Sequence, residues 1–395
     1  SLTPSVIYFD EPLAVEGLEG LTVKILSAVP FSETVTCVAS AGEFGLYQYN
    51  PDNFPILDYF TDLSCWELRS EITWEDIQAI KDPFYRNMAE QIFNGDYNRF
   101  RRHLAQAYRH PDMDAEIFQN SPKTLLDGVT GMFVAKASEP QIIFLDEDYG
   151  QDIFLRVIDW VNDEGMAGRV LEHERAVNYR LKKGRNVIQP ANRGLMYIFW
   201  HTEDYASQPR IRMNFANSGV NGYFNAETDA PEDWYPIMMQ SGMTPEPHFD
   251  IITDNVIMNF TKSTLREFSF NKNPELYERA MRTIMIFDTV TRIQQIIQGF
   301  DKYAALGRER TYHNRAPFYA AYGDCFGGAG AYATVYGNRN MAHDILNPEH
   351  MWPENFDPAK LDNGKVGHCW GLAHELGHNN QTDHFGWRGL GEVSN

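Results

Sequence analysis

Two histidines and a glutamate lie close together in the segment His374-Glu375-Leu376-Gly377-His378. On a helix, side chains four residues apart lie above one another, so the two imidazoles of this segment can bind one metal ion. Zinc in a catalytic site takes three protein ligands and keeps one position for water, whose pKa then falls to about 7. Glu375 is predicted to be the general base that takes a proton from this water. The spacing therefore predicts a hydrolytic zinc site.

Several later residues compete to be the third metal ligand. Glu392 is far enough beyond His378 for the chain to turn and return on a second helix. His384 lies where proteases with the motif H-E-x-x-H-x-x-G-x-x-H place their third histidine. Those proteases need a glycine where this chain has Gln381, and a methionine turn downstream, so the sequence favours Glu392. Asp383 stays a further alternative.

Composition excludes several classes of protein. The chain has 395 residues, of which 43% are hydrophobic and 22% charged, as in folded proteins, and its length predicts two or three domains. A formal net charge of −20 argues against binding to a nucleic-acid backbone, which needs a basic face. The longest apolar stretches are far shorter than the roughly 18 residues that a membrane span needs. We therefore expect neither a nucleic-acid partner nor a transmembrane segment.

The cysteines give no sign of a disulfide scaffold. Cys37, Cys65, Cys325 and Cys369 are widely separated, and none lies in a C-x-x-C pair. Reduced, buried thiols are the expectation, with one disulfide left open for an exported protein.

The pattern of apolar residues predicts an α+β multidomain protein. Its expected parts are a small β module of residues 1–55, a helical connector of residues 56–128, a β-sandwich of residues 129–220 and an α-rich catalytic part of residues 221–395. In the connector, apolar residues recur at three- and four-residue spacing from Glu71 to Tyr108, which predicts two or three helices. In the last part, the same spacing predicts a long helix from Pro274 to Leu306.

Two motifs near the end of the sequence are similar to those of a known family. The segment from Gly371 to Gln381 reads G-L-A-H-E-L-G-H-N-N-Q, and residues 391–395 read G-E-V-S-N. Together they resemble the enhancin-like, mucin-directed metallopeptidases, whose motifs are H-E-x-G-H-x-x-Q and G-E-V-[ST]-N. The resemblance covers roughly residues 70–395, including segments such as Pro247-His248-Phe249-Asp250, and leaves residues 1–55 outside.

The resemblance implies a gluzincin catalytic part in which His374, His378 and Glu392 bind Zn²⁺ and Glu375 is the catalytic base. It implies an endopeptidase that a bacterium exports to its surface, its surroundings or the periplasm, and that cuts the backbone of O-glycosylated proteins such as mucins. Members of the family continue in a helical part beyond the glutamate. We therefore expect the 395 residues to be a fragment of a longer protein.

Two other readings of the chain stay open. One is a glycan-binding or adhesion protein whose peptidase site is unused, with Trp234-Tyr235 and Trp387 as platforms that stack on sugars. The other is a metzincin-like protease that uses His384. The acidic segment 146–152 looks like half a calcium loop, but Val157 stands where the bidentate glutamate would be, which favours a solvated turn.

Overall fold

A computed structural model describes residues 54–109, 128–160, 177–266 and 276–297, with short pieces at 22–24, 34–36, 316–319, 331–332, 346–351, 372–373 and 376–377. Its α-helices are α1 Ile56–Tyr59, α2 Trp74–Gln78, α3 Pro83–Asn94, α4 Trp234–Gly242, α5 Lys262–Thr264, α6 Leu276–Ile297 and α7 Pro348–Met351. Short 3₁₀ helices span Arg99–Arg101, Tyr205–Ser207 and Pro231–Asp233.

The described strands form four sheets. In chain order the strands are β1 Thr22–Lys24, β2 Thr34–Thr36, β3 Arg102–Ala105, β4 Val129–Val134, β5 Gln141–Leu145, β6 Ile153–Ile158, β7 Asn178–Leu181, β8 Gly184–Ile188, β9 Gly194–Trp200, β10 Ile211–Phe215, β11 Gly219–Val220, β12 Phe224–Asn225, β13 His248–Ile252, β14 Val256–Thr261, β15 Ala316–Tyr319 and β16 Ala331–Tyr332. The orders within the sheets are β1-β2, β3-β10-β5-β8, β11-β4-β9-β6-β7 and β12-β13-β14-β15-β16.

The second and third of these sheets form a β-sandwich, and strand β9 shows why. Side chains of a strand point alternately to opposite faces. Met196, Ile198 and Trp200 belong to the large core between the two sheets, while Tyr197 and its outer-face neighbours belong to a second apolar cluster. Both faces of β9 are therefore covered, and every residue of the strand is buried. A strand covered on both sides reads as a continuous apolar run in the sequence.

The helical connector packs on the outer face of the four-stranded sheet. Its core joins residues of α2 and α3 to Ile142 and Phe144 of β5. Helix α2 begins at a capping box in which Thr73 and Asp76 bond to each other's backbone N–H groups. The hydroxyl of Tyr97 donates to Oδ1 of Asn214 at 2.6 Å, which ties the connector to β10.

The fourth sheet lies beyond the sandwich and is mixed. Strands β13 and β14 pair antiparallel, whereas β12, β15 and β16 each run parallel to the strand beside them. Helices α4 and α6 contribute residues to the same core as this sheet, and Phe287 of α6 meets Phe260 of β14 edge to face at 5.7 Å. Residues 252 and 257 of the same sheet join the cluster on the outer face of β9.

The structure confirms a mixed α and β fold with several sheets, and it corrects two details. The predicted long helix is present as α6, and the rest of the predicted range, residues 274–275 and 298–306, lies outside the described residues. The prediction of helix as far as Tyr108 was wrong, because α3 ends at Asn94 and Arg102–Ala105 pairs with β10. Residues 221–395 were expected to be α-rich, but they contain a five-stranded sheet that apolar periodicity did not predict. The four domain boundaries stay a prediction.

Gly194, at the start of β9, is expected to tolerate no side chain. Its φ is +131°, and an added Cβ would lie 2.0 Å from the carbonyl oxygen of Ile158. We expect Gly194→Ala to lower the free energy of unfolding by about 2–4 kcal/mol, from backbone strain plus overlap. Urea titration will measure the loss. The matched control is Gly150→Ala, where φ is +70° and nothing lies within 4 Å, so only about 1 kcal/mol should be lost. Equal losses would contradict the steric argument.

Candidate active site

Four described residues lie within the segment that carries the predicted zinc motif. Leu372, Ala373, Leu376 and Gly377 are helical. Leu372 and Leu376 are 1% and 0% exposed and belong to the main core, so their side chains anchor this segment to the rest of the protein. The predicted site residues His374, Glu375, His378 and Glu392, and the alternatives His384 and Asp383, lie outside the described residues. Their roles stay predictions.

Helix α6 is bonded directly to the motif segment. The side-chain amide of Gln294 donates from Nε2 to the carbonyl oxygen of Ala373 at 2.6 Å. Ala373 is the residue immediately before His374. The contact therefore joins α6 to the backbone at the start of the predicted motif.

The same helix is bonded to the hairpin of β13 and β14. Asp288 accepts two hydrogen bonds from Asn255, one from the backbone N–H at 2.9 Å and one from Nδ2 at 2.8 Å. Near its other end, α6 bonds to the backbone of Leu346 through the hydroxyl of Thr283, at 3.1 Å. Helix α6 thus connects the sheet, the region of α7 and the motif segment.

A buried carboxyl lies between the sandwich and the fourth sheet. The hydroxyl of Tyr197 on β9 donates to Asp250 on β13, 3.0 Å from Oδ1, and accepts a hydrogen bond from Nε1 of Trp160 at 3.1 Å. Asn259 on β14 donates from Nδ2 to Oδ1 of Asp250 at 2.7 Å. Burial raises the pKa of Asp250 to about 7, although both hydrogen bonds oppose the rise.

Other buried ionisable groups extend this network along β13. Nδ1 of His248 lies 2.8 Å from Oδ1 of Asn259. Because this amide oxygen can only accept, the imidazole proton is assigned to Nδ1. Burial lowers the pKa of His248 to about 4, so the ring is neutral near pH 7. Burial also raises the pKa of Glu246 to about 7 and lowers that of Lys262 to about 8.

The sequence analysis did not predict this network of buried polar groups, because the pattern that marks it is weak. His248 and Asp250 alternate with apolar residues on β13, and Asn259 interrupts an apolar run on β14. Only the pairing of the two strands shows that these polar side chains meet one another. Among the described residues, no group of three or more His, Cys, Asp or Glu side chains is placed to hold a metal ion.

The remaining sequence candidates have structural roles where they are described. In the acidic turn, Asp146 and Asp148 accept hydrogen bonds from nearby backbone N–H groups, as a solvated turn would. Trp234 is 0% exposed and packs edge to face on two phenylalanines, so the alternative in which it stacks on a sugar does not hold, whereas Tyr235 beside it is 47% exposed. Trp387 lies outside the described residues. The thiol of Cys65 is free and buried, and the other three cysteines lie outside.

The part of the chain that carries the predicted motif matches a known protein family. Residues 222–395 match the family model described as Peptidase M60, enhancin and enhancin-like. The match includes both motifs from which the resemblance was predicted, and it confirms that resemblance. No curated protein sequence matches the chain.

Solved structures share the fold. A metallopeptidase from Bacteroides thetaiotaomicron superposes with a TM-score of 0.65 at 20% identity, covering 86% of this chain and 53% of its own. A metallopeptidase in complex with Tn antigen has a TM-score of 0.55 at 19% identity, covering 75% of this chain and 50% of its own. A structure of two CBM32 domains and the M60 catalytic domain of Clostridium perfringens ZmpB has a TM-score of 0.53 at 16% identity, covering 86% and 35%.

The chain therefore spans about half the length, or less, of these three structures. At such identities the likeness shows the fold alone. Among the described residues, no helix combines the length and apolar character that a membrane span requires.

The buried carboxyl of Asp250 predicts a specific pH dependence of stability. Because its pKa is about 7 in the folded protein against an ordinary 3.8, its contribution is fully present below about pH 4 and is lost as the pH rises through 7. Asp250→Asn should remove this loss, so between about pH 5 and 8 the variant's free energy of unfolding should fall less than that of the wild type.

Urea titrations across this pH range will test the difference. Glu246 acts with the same sign as Asp250, whereas His248, whose pKa falls from 6.5 to about 4 on folding, acts with the opposite sign between about pH 4 and 6.5. Both groups are present in both proteins, so the comparison isolates Asp250. The control is Asp148→Asn in the exposed turn, where backbone hydrogen bonds lower the pKa, and its curve should parallel the wild type. Parallel curves for Asp250→Asn would mean that Asp250 does not titrate there.

Proposed function

We propose that this chain contributes the zinc centre of a secreted or surface-exposed metalloendopeptidase, with His374, His378 and Glu392 as ligands and Glu375 as general base. The supporting observation is the agreement between two independent findings. The region matches the metallopeptidase family model, and the leucines of the motif segment are buried in the main core. A catalytic helix has to be anchored in this way if its histidines are to keep a fixed position.

Helical geometry gives the motif three distinct stripes. At about 100° per residue, Leu372 and Leu376 form one stripe, Ala373 and Gly377 a second, and His374 and His378 a third. The leucine stripe is buried, and the second stripe meets α6 at the carbonyl of Ala373. A helix continued through residues 374–378 would therefore direct its histidines away from the leucine-packed core.

The donor set suits zinc. Two neutral imidazoles and a carboxylate are the ligands of many catalytic zinc sites, and they leave a position for water. When bound, zinc would polarise the scissile carbonyl and lower the pKa of the attacking water. Glu375 would take the proton from this water and return it to the leaving amine. Neutral histidines are required, so binding should weaken as the pH falls below about 6.

The proposed substrate is the backbone of an O-glycosylated protein of the mucin type. Support comes from the matched family and from the fold shared with a metallopeptidase whose structure contains Tn antigen. Contacts to carbohydrate beside the scissile bond belong to this proposal, as does a location at the surface of a bacterium or outside it.

The role of Glu375 can be tested in the full-length protein on an O-glycosylated mucin. Glu375→Gln should lower kcat by roughly 10²- to 10⁴-fold, because the variant keeps the side-chain shape but loses the base. Its zinc content should equal that of the wild type, and a chelator should abolish wild-type cleavage. Undiminished cleavage by the variant would exclude the mechanism. Binding of mucin by a zinc-loaded wild type that never cleaves it would favour the adhesion protein.

The third ligand can be identified by paired substitutions. We expect Glu392→Ala to weaken zinc binding by more than the roughly 10- to 100-fold that is typical of losing a partner outside the metal's ligand shell. His384→Ala and Asp383→Ala should leave the affinity unchanged. Competition with a chromophoric chelator measures all three variants. Loss of zinc in His384→Ala with retention in Glu392→Ala would instead indicate the metzincin-like arrangement.

A further inference from the structure

One hydrogen bond reaches the motif segment from a part of the chain that the zinc proposal does not use. Nε2 of Gln294 donates to the carbonyl oxygen of Ala373 at 2.6 Å, and the pair is partly buried. Gln294 lies in the last turns of α6. In a regular helix the carbonyl of Ala373 already faces the N–H of Gly377, so Gln294 adds a second donor from outside.

The motif helix has two small residues, Ala373 and Gly377, at the place that Gln294 contacts. Ala373 offers one methyl group and Gly377 offers none, and the two residues stand one turn apart on a helix. Gly377 is buried, and Ala373 packs against the main core. Small residues at this spacing let another element approach the helix backbone closely. This explains why a glycine is useful inside a catalytic helix, where it costs helix propensity.

Helix α6 is itself held firmly at two other places. Asp288 accepts two hydrogen bonds from Asn255 in the turn between β13 and β14. Phe287 is fully buried against Phe260 of β14. The position of Gln294 is therefore set by the contacts between α6 and the sheet.

From these contacts we infer that Gln294 is a positioning residue for the zinc site, which sets the rotation of the motif helix about its axis. The buried leucines hold one stripe of that helix, and Gln294 holds the adjacent stripe, which lies next to the predicted histidines. With only the leucines in place, the helix keeps freedom to rotate about the leucine contact. The inference rests on the proposed zinc site but assigns a residue outside the motif.

The test compares two substitutions in the full chain with a matched control. Gln294→Met keeps the length of the side chain and removes the donor, while Gln294→Glu places a charge against the carbonyl. The control is Thr283→Val, which removes another side-chain bond from α6 to a distant carbonyl, that of Leu346. Three quantities are measured: zinc affinity by chelator competition, the visible spectrum of the cobalt-substituted protein, and the thermal midpoint of the metal-free protein.

We expect Gln294→Met to weaken zinc binding roughly three- to tenfold, the value of about one net hydrogen bond, and Gln294→Glu to weaken it more. The cobalt spectrum, which reports ligand geometry, should shift in both variants. Gln294→Met and Thr283→Val should lower the thermal midpoint of the metal-free protein by similar amounts, but Thr283→Val should leave zinc affinity and the cobalt spectrum unchanged. Unchanged zinc affinity and spectrum in the Gln294 variants, or equal changes of affinity and spectrum in Thr283→Val, would overturn the inference. A wild type that binds no zinc would refute the proposed function instead.

Discussion

The fold depends on strand β9 being buried on both faces, because this makes the sandwich and the fourth sheet share one interface. The outer face of β9 is apolar except where Tyr197 bonds to Asp250. A carboxyl removed from water is costly unless its hydrogen bonds are satisfied. Asp250 has donors from two directions, Tyr197 in the sandwich and Asn259 in its own sheet. Sliding the sheet along β9 would break the first of these contacts, so the pair fixes the relative position of the two layers.

Two successive contacts connect this interface to the motif segment, the first between residues 33 positions apart and the second between residues 79 positions apart. The hairpin of β13 and β14 holds Asp288 of α6 through Asn255, and α6 in turn holds the backbone at Ala373. Each step uses a polar bond beside apolar packing. Packing supplies most of the stability, since apolar burial is not directional, while the polar bonds select one register. The segment that carries the predicted motif is therefore positioned by groups outside that motif.

Features that repeat along the sequence were predictable. The long helix α6 follows from apolar periodicity, and the strands β6 and β9 follow from short, nearly continuous apolar runs. The chemistry that His374, Glu375 and His378 suggest stays a prediction. Features that depend on distant pairing were not predictable. Apolar spacing at Phe100 and Leu104 fits a helix, yet pairing with β10 makes a strand of Arg102–Ala105. Strand β13 carries His248 and Asp250, whose polar side chains bond to Asn259 of β14 and Tyr197 of β9, contacts that apolar periodicity does not predict.

The boundary of the family match does not coincide with the boundary of the folding unit. The matched region begins at residue 222, but Asp250 within it depends on Tyr197, and Asp229 pairs with Arg99 of the connector at 2.8 Å. A chain cut at 222 would expose the apolar partners of β9 and leave a buried carboxyl short of one donor. The sandwich is therefore structural support for the region that carries the predicted zinc motif. A change at Tyr197 would therefore alter the contacts of a sheet that lies within the matched region.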